Sequence, residues 1–118
     1  MESTEAVLIL AALGQRTRLD TFRLLVKAGQ DGMAASDIAA SMGVPRNTMS
    51  SHLAILARAG LVQSTRIGTQ ITYRPDLSRL TGLTAFLVEG CCGGQPEQCE
   101  PGLSELRHLT PSETDPAH

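Results

Sequence analysis

The chain has 118 residues, enough for one hydrophobic core and too few for two. Its net charge is −2, but residues 1–75 hold eight Lys/Arg against five Asp/Glu while residues 76–118 hold two against seven. A surface that meets a polyanion must supply its cations locally, so the overall charge does not exclude nucleic acid and confines such a surface to the first two-thirds. The apolar run Ala6–Leu13 is too short to span a bilayer and is preceded by Glu2 and Glu5 where a signal peptide has basic residues, so a soluble, cytoplasmic chain is expected. Three cysteines, all between 91 and 99, do not suit a disulfide-stapled secreted fold and point to a thiol site.

Phe22, Tyr73 and Phe86 are the only aromatic residues, so the core must be built from Leu, Ile, Val, Met and Ala, which suits helices. Thr4–Leu13 is rich in helix formers and stops at Gly14, which is expected to close the helix in the left-handed conformation. From Thr17, the positions Leu19, Phe22, Leu25 and Val26 recur with a 3.6-residue period, with Arg18, Arg23 and Lys27 outside the stripe, until Gly29 ends a second helix. After Gln30-Asp31-Gly32, a short third helix capped by Ser36 or a neighbour carries Ile38, Ala39 and Met42 and ends at Gly43. Val44-Pro45 makes a corner, because proline suits a turn or a first helical position and resists a helix interior.

A fourth helix starts near Arg46, with Met49, Leu53 and Leu56 spaced i, i+4, i+7 and with Arg46, Asn47, Ser50 and Ser51 off that stripe. Beyond Ala59-Gly60 the period falls to two. Leu61–Arg66, a turn Ile67-Gly68-Thr69 and Gln70–Arg74, in which Ile71 and Tyr73 alternate with polar residues, predict a β-hairpin. Pro75 ends it, and Leu77–Glu89 returns to helical spacing through Leu77, Leu80, Leu83, Thr84 and Leu87 until Gly90. Further on, Pro96, Pro101, Pro111 and Pro116 leave room for a helical turn or two around Leu103–Leu109, with a disordered terminus.

The order is α1-α2-α3-α4-β-β-α5: a mainly α chain with a small β-hairpin. Two short helices joined by a Gly-Val-Pro corner and followed by a hairpin with basic residues make up a winged helix-turn-helix. The first helix of such a pair braces the second, whose exposed face enters the major groove, where each base pair shows its own donor and acceptor pattern. Arg46, Asn47, Thr48, Ser50 and Ser51 are the candidate base readers, with Arg46, Asn47 and Ser50 foremost. Arg66, Gln70 and Arg74 on the hairpin are candidates for phosphate or minor-groove contacts, which set register and read little sequence. His52 has two readings, a phosphate contact or a satisfied histidine at the edge of the helix packing. Polar residues opposite an apolar stripe are also what any solvated helix shows, and helix-turn-helix pairs occur in domains that do not bind DNA.

The stretch Gly43 to Val62, GVPRNTMSSHLAILARAGLV, resembles the recognition segment of the ArsR/SmtB family, with its Ser-x-His-Leu, a later Leu, and Ala-Gly-Leu-Val. Leu13-Gly14-Gln15-Arg16-Thr17-Arg18-Leu19 is similar to the family's Leu-x-x-x-x-Arg-Leu opening, and the resemblance spans about residues 5–90. It implies a metalloregulatory repressor, not an enzyme: a homodimer paired through its first and last helices, bound to double-stranded operator DNA when ligand-free and released by its inducer. Residues 1–90 are then the DNA-binding and dimerisation domain, 91–100 an inducer-binding segment and 101–118 a mostly flexible tail.

Two sites common in the family are absent. Where arsenic-sensing relatives carry Cys-Val-Cys-Asp-Leu, this chain has Ala34-Ala35-Ser36-Asp37-Ile38, and the last-helix zinc site needs Asp and His ligands in a chain with no histidine between His52 and His108. What remains, Cys91, Cys92 and Cys99, resembles a C-terminal arsenite site found in some members. Trivalent arsenic, As(III), is soft and three-coordinate, so three thiolates complete its shell and Gly93-Gly94 allows the loop to turn back. Antimonite, Sb(III), has the same chemistry.

Exchange of three hydroxides for three thiolates gives a neutral site, which Glu89, Glu97 and Glu100 do not oppose. A redox or nucleophilic cysteine wants nearby cations or a helix N-terminus, and Cys91 and Cys92 follow a helix C-terminus among carboxylates. A Cys-x5-Arg phosphate loop is excluded because Glu97 and Gln98 stand where its arginine belongs. Cadmium, zinc or lead are the competing inducers, with His108 or the partner chain able to supply a fourth ligand, and a redox-sensing repressor is the remaining alternative.

Overall fold

A computed structural model describes residues 1–89. Met1–Phe86 form one compact unit. Cys91, Cys92, Cys99, His108 and the expected turns around Leu103–Leu109 lie outside the described residues.

The elements run α1 (Ser3–Leu13), α2 (Arg16–Ala28), β1 (Met33–Ala34), α3 (Ala35–Met42), α4 (Arg46–Arg58), β2 (Val62–Ile67), β3 (Gln70–Pro75) and α5 (Leu77–Val88). The sheet order is β1-β3-β2, antiparallel throughout, with Met33 opposite Tyr73 on one side and Ser64 opposite Tyr73 on the other. The two-residue β1 departs from the expected order, because so short a strand has no period of its own and forms only where β3 offers a free edge. It makes the wing three-stranded at its base. Ile67 pairs with Gln70, so the hairpin closes over Gly68-Thr69 alone and Ile67 belongs to the strand, not to the turn.

The core of this unit gathers Ala6, Ile9 and Ala12 of α1, Phe22 and Leu25 of α2, Ile38 and Ala39 of α3, Met49, Leu53 and Leu56 of α4, and Leu61, Val62 and Leu83. Small residues on α1 let it lie close to its neighbours, and the i, i+4, i+7 stripe of α4 is buried as its spacing requires. In α2 the buried set is Thr21, Phe22 and Leu25, while Leu19 is 41% exposed. Thr21 replaces it in the interior, its hydroxyl donating to the Met49 sulfur at 3.9 Å and tying α2 to α4.

The helix ends follow their backbone needs, with two departures from expectation. Gly43 closes α3 with φ 66° and ψ 33°, a left-handed conformation that a side chain makes costly. Gly14 instead has φ −80°, so α1 ends without the left-handed turn expected of it, its N–H donating to the Ala11 carbonyl. The N-cap of α3 is Ala34, with no side-chain cap, because pairing of Ala34 with Thr72 in the sheet starts the helix before Ser36 is reached.

Candidate nucleic-acid interface

The helix-turn-helix consists of α3, the corner Gly43–Pro45 and α4, with α2 packed against both helices. Gly43 N–H donates to the Ala40 carbonyl and Val44 N–H to the Ala39 carbonyl, which satisfies the end of α3 and turns the chain. Pro45 then sits at the N-cap of α4 with φ −56° and ψ 148°. Proline needs no N–H partner there, so the corner is rigid without a side-chain cap.

On α4, Met49, Leu53 and Leu56 are buried, and Arg46, Asn47, Thr48, Ser50 and Ser51 are all exposed. Two of these are engaged locally. Asn47 Oδ1 accepts the Thr48 N–H at 2.9 Å, and Ser51 Oγ donates to the Asn47 carbonyl at 3.4 Å. A bidentate contact to adenine uses both the oxygen and the nitrogen of an Asn amide, so Asn47 must exchange its backbone bond for such a contact. Arg46 takes part in no ion pair among the described residues.

The hairpin residues occupy two levels. At the outer end Gly68 turns with φ 64°, Ile67 is 72% exposed, and Arg66 Nε donates to the Gly68 carbonyl at 3.4 Å. Gln70, opposite Ile67, is exposed at the same end. Arg74 is at the base: half-buried, it donates to Thr65 Oγ1 across the strands at 2.9 Å, and its stem passes against Gly32. An open groove of about 470 Å³ runs between the wing and α4, lined by Arg46, Met49 and Ser50, by Thr69, Gln70 and Ile71, and by Ala35 and Ser36 at the start of α3. The structure thus brings Arg46, Ser50 and Gln70 together and leaves Arg74 apart from them.

Ser36 and Thr69 also line this groove, and the sequence does not single them out as site residues. Ser36 reads as a cap from its neighbours alone, and nothing in the local spacing says that the wing folds back toward α3.

His52 is half-buried, its Nδ1 3.4 Å from Nη1 of Arg18. The sequence sets Arg18 off the apolar stripe and in the Leu-x-x-x-x-Arg-Leu opening, but gives it no contact. At the foot of the wing Asp76 caps α5: Oδ1 accepts the Ser78 N–H at 3.1 Å and the Ser78 hydroxyl at 2.5 Å, while Oδ2 accepts Gln63 Nε2 at 2.9 Å. The Ser78 hydrogen bond above all, then that from Gln63, holds the Asp76 carboxyl below the usual carboxylate range.

Among the described residues no three His, Cys, Asp or Glu side chains are grouped to hold a metal ion. The positions where third-helix relatives carry sulfur are Ala34 and Ser36, and the α5 sequence LSRLTGLTAFLV contains no Asp, Glu or His. No helix among the described residues is long and apolar enough to cross a membrane.

A family model described as a helix-turn-helix domain matches residues 13–65. A Halobacterium salinarum protein assigned as an arsenical resistance operon repressor is 34% identical over 81 residues, which cover 69% of this chain and 63% of that relative's length. A solved structure described as that of a possible transcriptional regulator for arsenical resistance is 30% identical, with 68% of this chain matched to 80% of that one at a TM-score of 0.60. The homodimeric winged helix-turn-helix DNA-binding domain of a Mycobacterium bovis regulator, ascribed to the ArsR family, is 29% identical, covering 74% of this chain and 81% of the domain at a TM-score of 0.59. Fold and sequence agree, and the chain belongs to the ArsR family of winged helix-turn-helix transcriptional regulators.

Proposed function

We propose that this regulator is a homodimeric repressor that holds operator DNA when ligand-free and is released when As(III), or Sb(III), binds Cys91, Cys92 and Cys99. The observation that carries the DNA-binding half is the division of α4: one face seated in the core by Met49, Leu53 and Leu56, the other presenting Arg46, Asn47, Thr48, Ser50 and Ser51 beside a wing. Arg46 is suited to guanine, Asn47 to adenine, and the hydroxyls to either. Arg66, Gln70 and, from its lower position, Arg74 contact phosphates or the adjacent minor groove in this reading.

Two copies related by a twofold axis present two recognition helices to successive major grooves about 34 to 36 Å apart. The outer face of α1 supports pairing, because Val7, Leu8 and Leu10 are exposed apolar residues on one helix. The Mycobacterium bovis domain is described as a homodimer as well.

The inducer half rests on the chemistry of three thiolates within nine residues and on the arsenical-resistance names of two relatives. It divides the chain into residues 1–90 for DNA binding and pairing, 91–100 for the inducer and 101–118 as a tail, within a cytoplasmic protein. Arsenite, cadmium, zinc and lead are each titrated into the full chain bound to its own promoter fragment, and release is followed by fluorescence anisotropy. Arsenite should dissociate the complex, and Cys91→Ser, Cys92→Ser or Cys99→Ser should leave DNA binding intact and abolish release. Release by zinc with none by arsenite would replace the inducer, and absence of binding to promoter DNA would remove the repressor.

A further inference from the structure

Arg18 joins three helices through one side chain. Its backbone N–H donates to Oε1 of Gln15, the N-cap of α2, at 2.9 Å. Its guanidinium Nε donates to the Ala12 carbonyl at 2.8 Å and Nη2 to the Ala11 carbonyl at 3.4 Å, both in the last turn of α1. Nη1 meets His52 Nδ1, on α4, at 3.4 Å. A cation on the final carbonyls of α1 is favoured by the helix dipole as well as by the hydrogen bonds, so the guanidinium is anchored on α1 and reaches α4 from there. Arginine can only donate, so this contact uses His52 Nδ1 as its acceptor, as the Nε2–H tautomer of the ring allows.

His52 stands in the middle of α4, immediately before the buried Leu53 and directly after Ser50 and Ser51 on the exposed face. A contact there restrains both rotation and sliding of α4 against α1. The same α1 carries Val7, Leu8 and Leu10 on its outer side.

We infer that Arg18 and His52 are positioning residues that lock the recognition helix to the C-terminal turn of α1, so that the position of α1 in the dimer sets the orientation of the DNA-reading face. This rests on the DNA-binding reading of α4. It also assigns His52 a place inside the packing, not on a phosphate. Lysine at position 18 keeps a charge near the α1 carbonyls but lacks the planar fork needed to hold α1 and His52 at once.

The test is a double-mutant cycle in the full-length chain, with affinity for the promoter fragment measured where circular dichroism shows each variant folded. Arg18→Lys and His52→Leu should each weaken binding by about three- to tenfold, and the double variant should lose no more than either alone. His52→Asn, which retains an acceptor near the Nδ1 position, should restore most of the affinity. The slope of log K against log salt should be unchanged in all variants, since no phosphate contact is removed. Additive losses, a slope lowered by about one for His52→Leu, or wild-type affinity in Arg18→Lys would overturn the inference.

A second readout needs no DNA. In ¹⁵N spectra of the free protein the His52 Nδ1 should be the unprotonated nitrogen, and Arg18→Lys should shift its resonance; a ring indifferent to residue 18 removes the lock. Should the wild-type chain bind no promoter DNA, it is the repressor reading that fails, while the ring spectrum still decides whether the contact exists.

Discussion

Asp76 illustrates how much one side chain organises here. Its carboxylate caps α5 through Ser78 and reaches back to Gln63 on β2, while its own N–H donates to the Leu61 carbonyl. Asp76→Ala should cost about 1 kcal/mol of unfolding free energy near neutral pH, measured by urea denaturation. Because the folded carboxyl is depressed, that contribution is complete above the ordinary aspartate range and fades as pH falls through the folded value. The gap between wild type and variant should therefore close on acidification, and a gap that widened would reverse the assignment. The Arg79–Glu5 pair likewise lowers the Glu5 carboxyl, through its hydrogen bond to Arg79, but both side chains are well exposed and salt screens them. At the reading face, Arg46→Ala should weaken operator binding by about 1 to 3 kcal/mol and relax the preference at one base position, as a binding series over single-base operator variants would show. A uniform loss across all operators would make Arg46 a phosphate contact.

At the scale of elements, the stripe of α4 is legible because Met49, Leu53 and Leu56 repeat with the helix period, while Ile55 is only partly buried at its edge. The stripe of α2 is less so. Leu19 satisfies the period, yet that position faces outward and Thr21 fills the interior beside Met49, a choice made by the crossing of two helices. The strand β1 depends wholly on β3. Gly32 enables it: with φ 73° it turns the chain into β1, and a Cβ there would lie 2.5 Å from the Tyr73 carbonyl oxygen. Gly32→Ala should accordingly destabilise the fold by more than about 2 kcal/mol and release the Met33–Tyr73 pairing, seen as fast amide exchange at the base of the wing. Protection equal to wild type would mean that the backbone yields elsewhere.

For the molecule as a whole, the proposed dimer depends on which surface pairs two copies. Val7 is 62% exposed on a helix whose opposite face is part of the core. Val7→Asp combined with Leu8→Asp should shift the protein toward monomer in sedimentation equilibrium and weaken operator binding, without loss of helical signal. A dimer unaffected by both charges would place the contact away from α1. The coupling that the proposed induction requires is modest: about 1 to 3 kcal/mol between inducer and DNA gives a several-fold to hundred-fold loss of affinity, and DNA would weaken inducer binding equally.

The sequence by itself determined the helix order, the hairpin, the polar face of α4 and the family, because each is written in local periods, in Gly and Pro punctuation, or in contiguous motifs such as Ser51-His52-Leu53 and Ala59-Gly60-Leu61-Val62. It also shows that positions 34 and 36 are Ala and Ser and so offer no sulfur, which needs no coordinates. Only the tertiary structure decided that Arg46, Ser50 and Gln70 share one groove with Ser36 and Thr69, that Arg74 belongs to the base of the wing, and that Arg18 reaches His52. Those are contacts between residues distant in the chain, and no local period records them. His52 shows the boundary well. One residue, readable in two ways from its helix, is placed by an arginine thirty-four positions earlier.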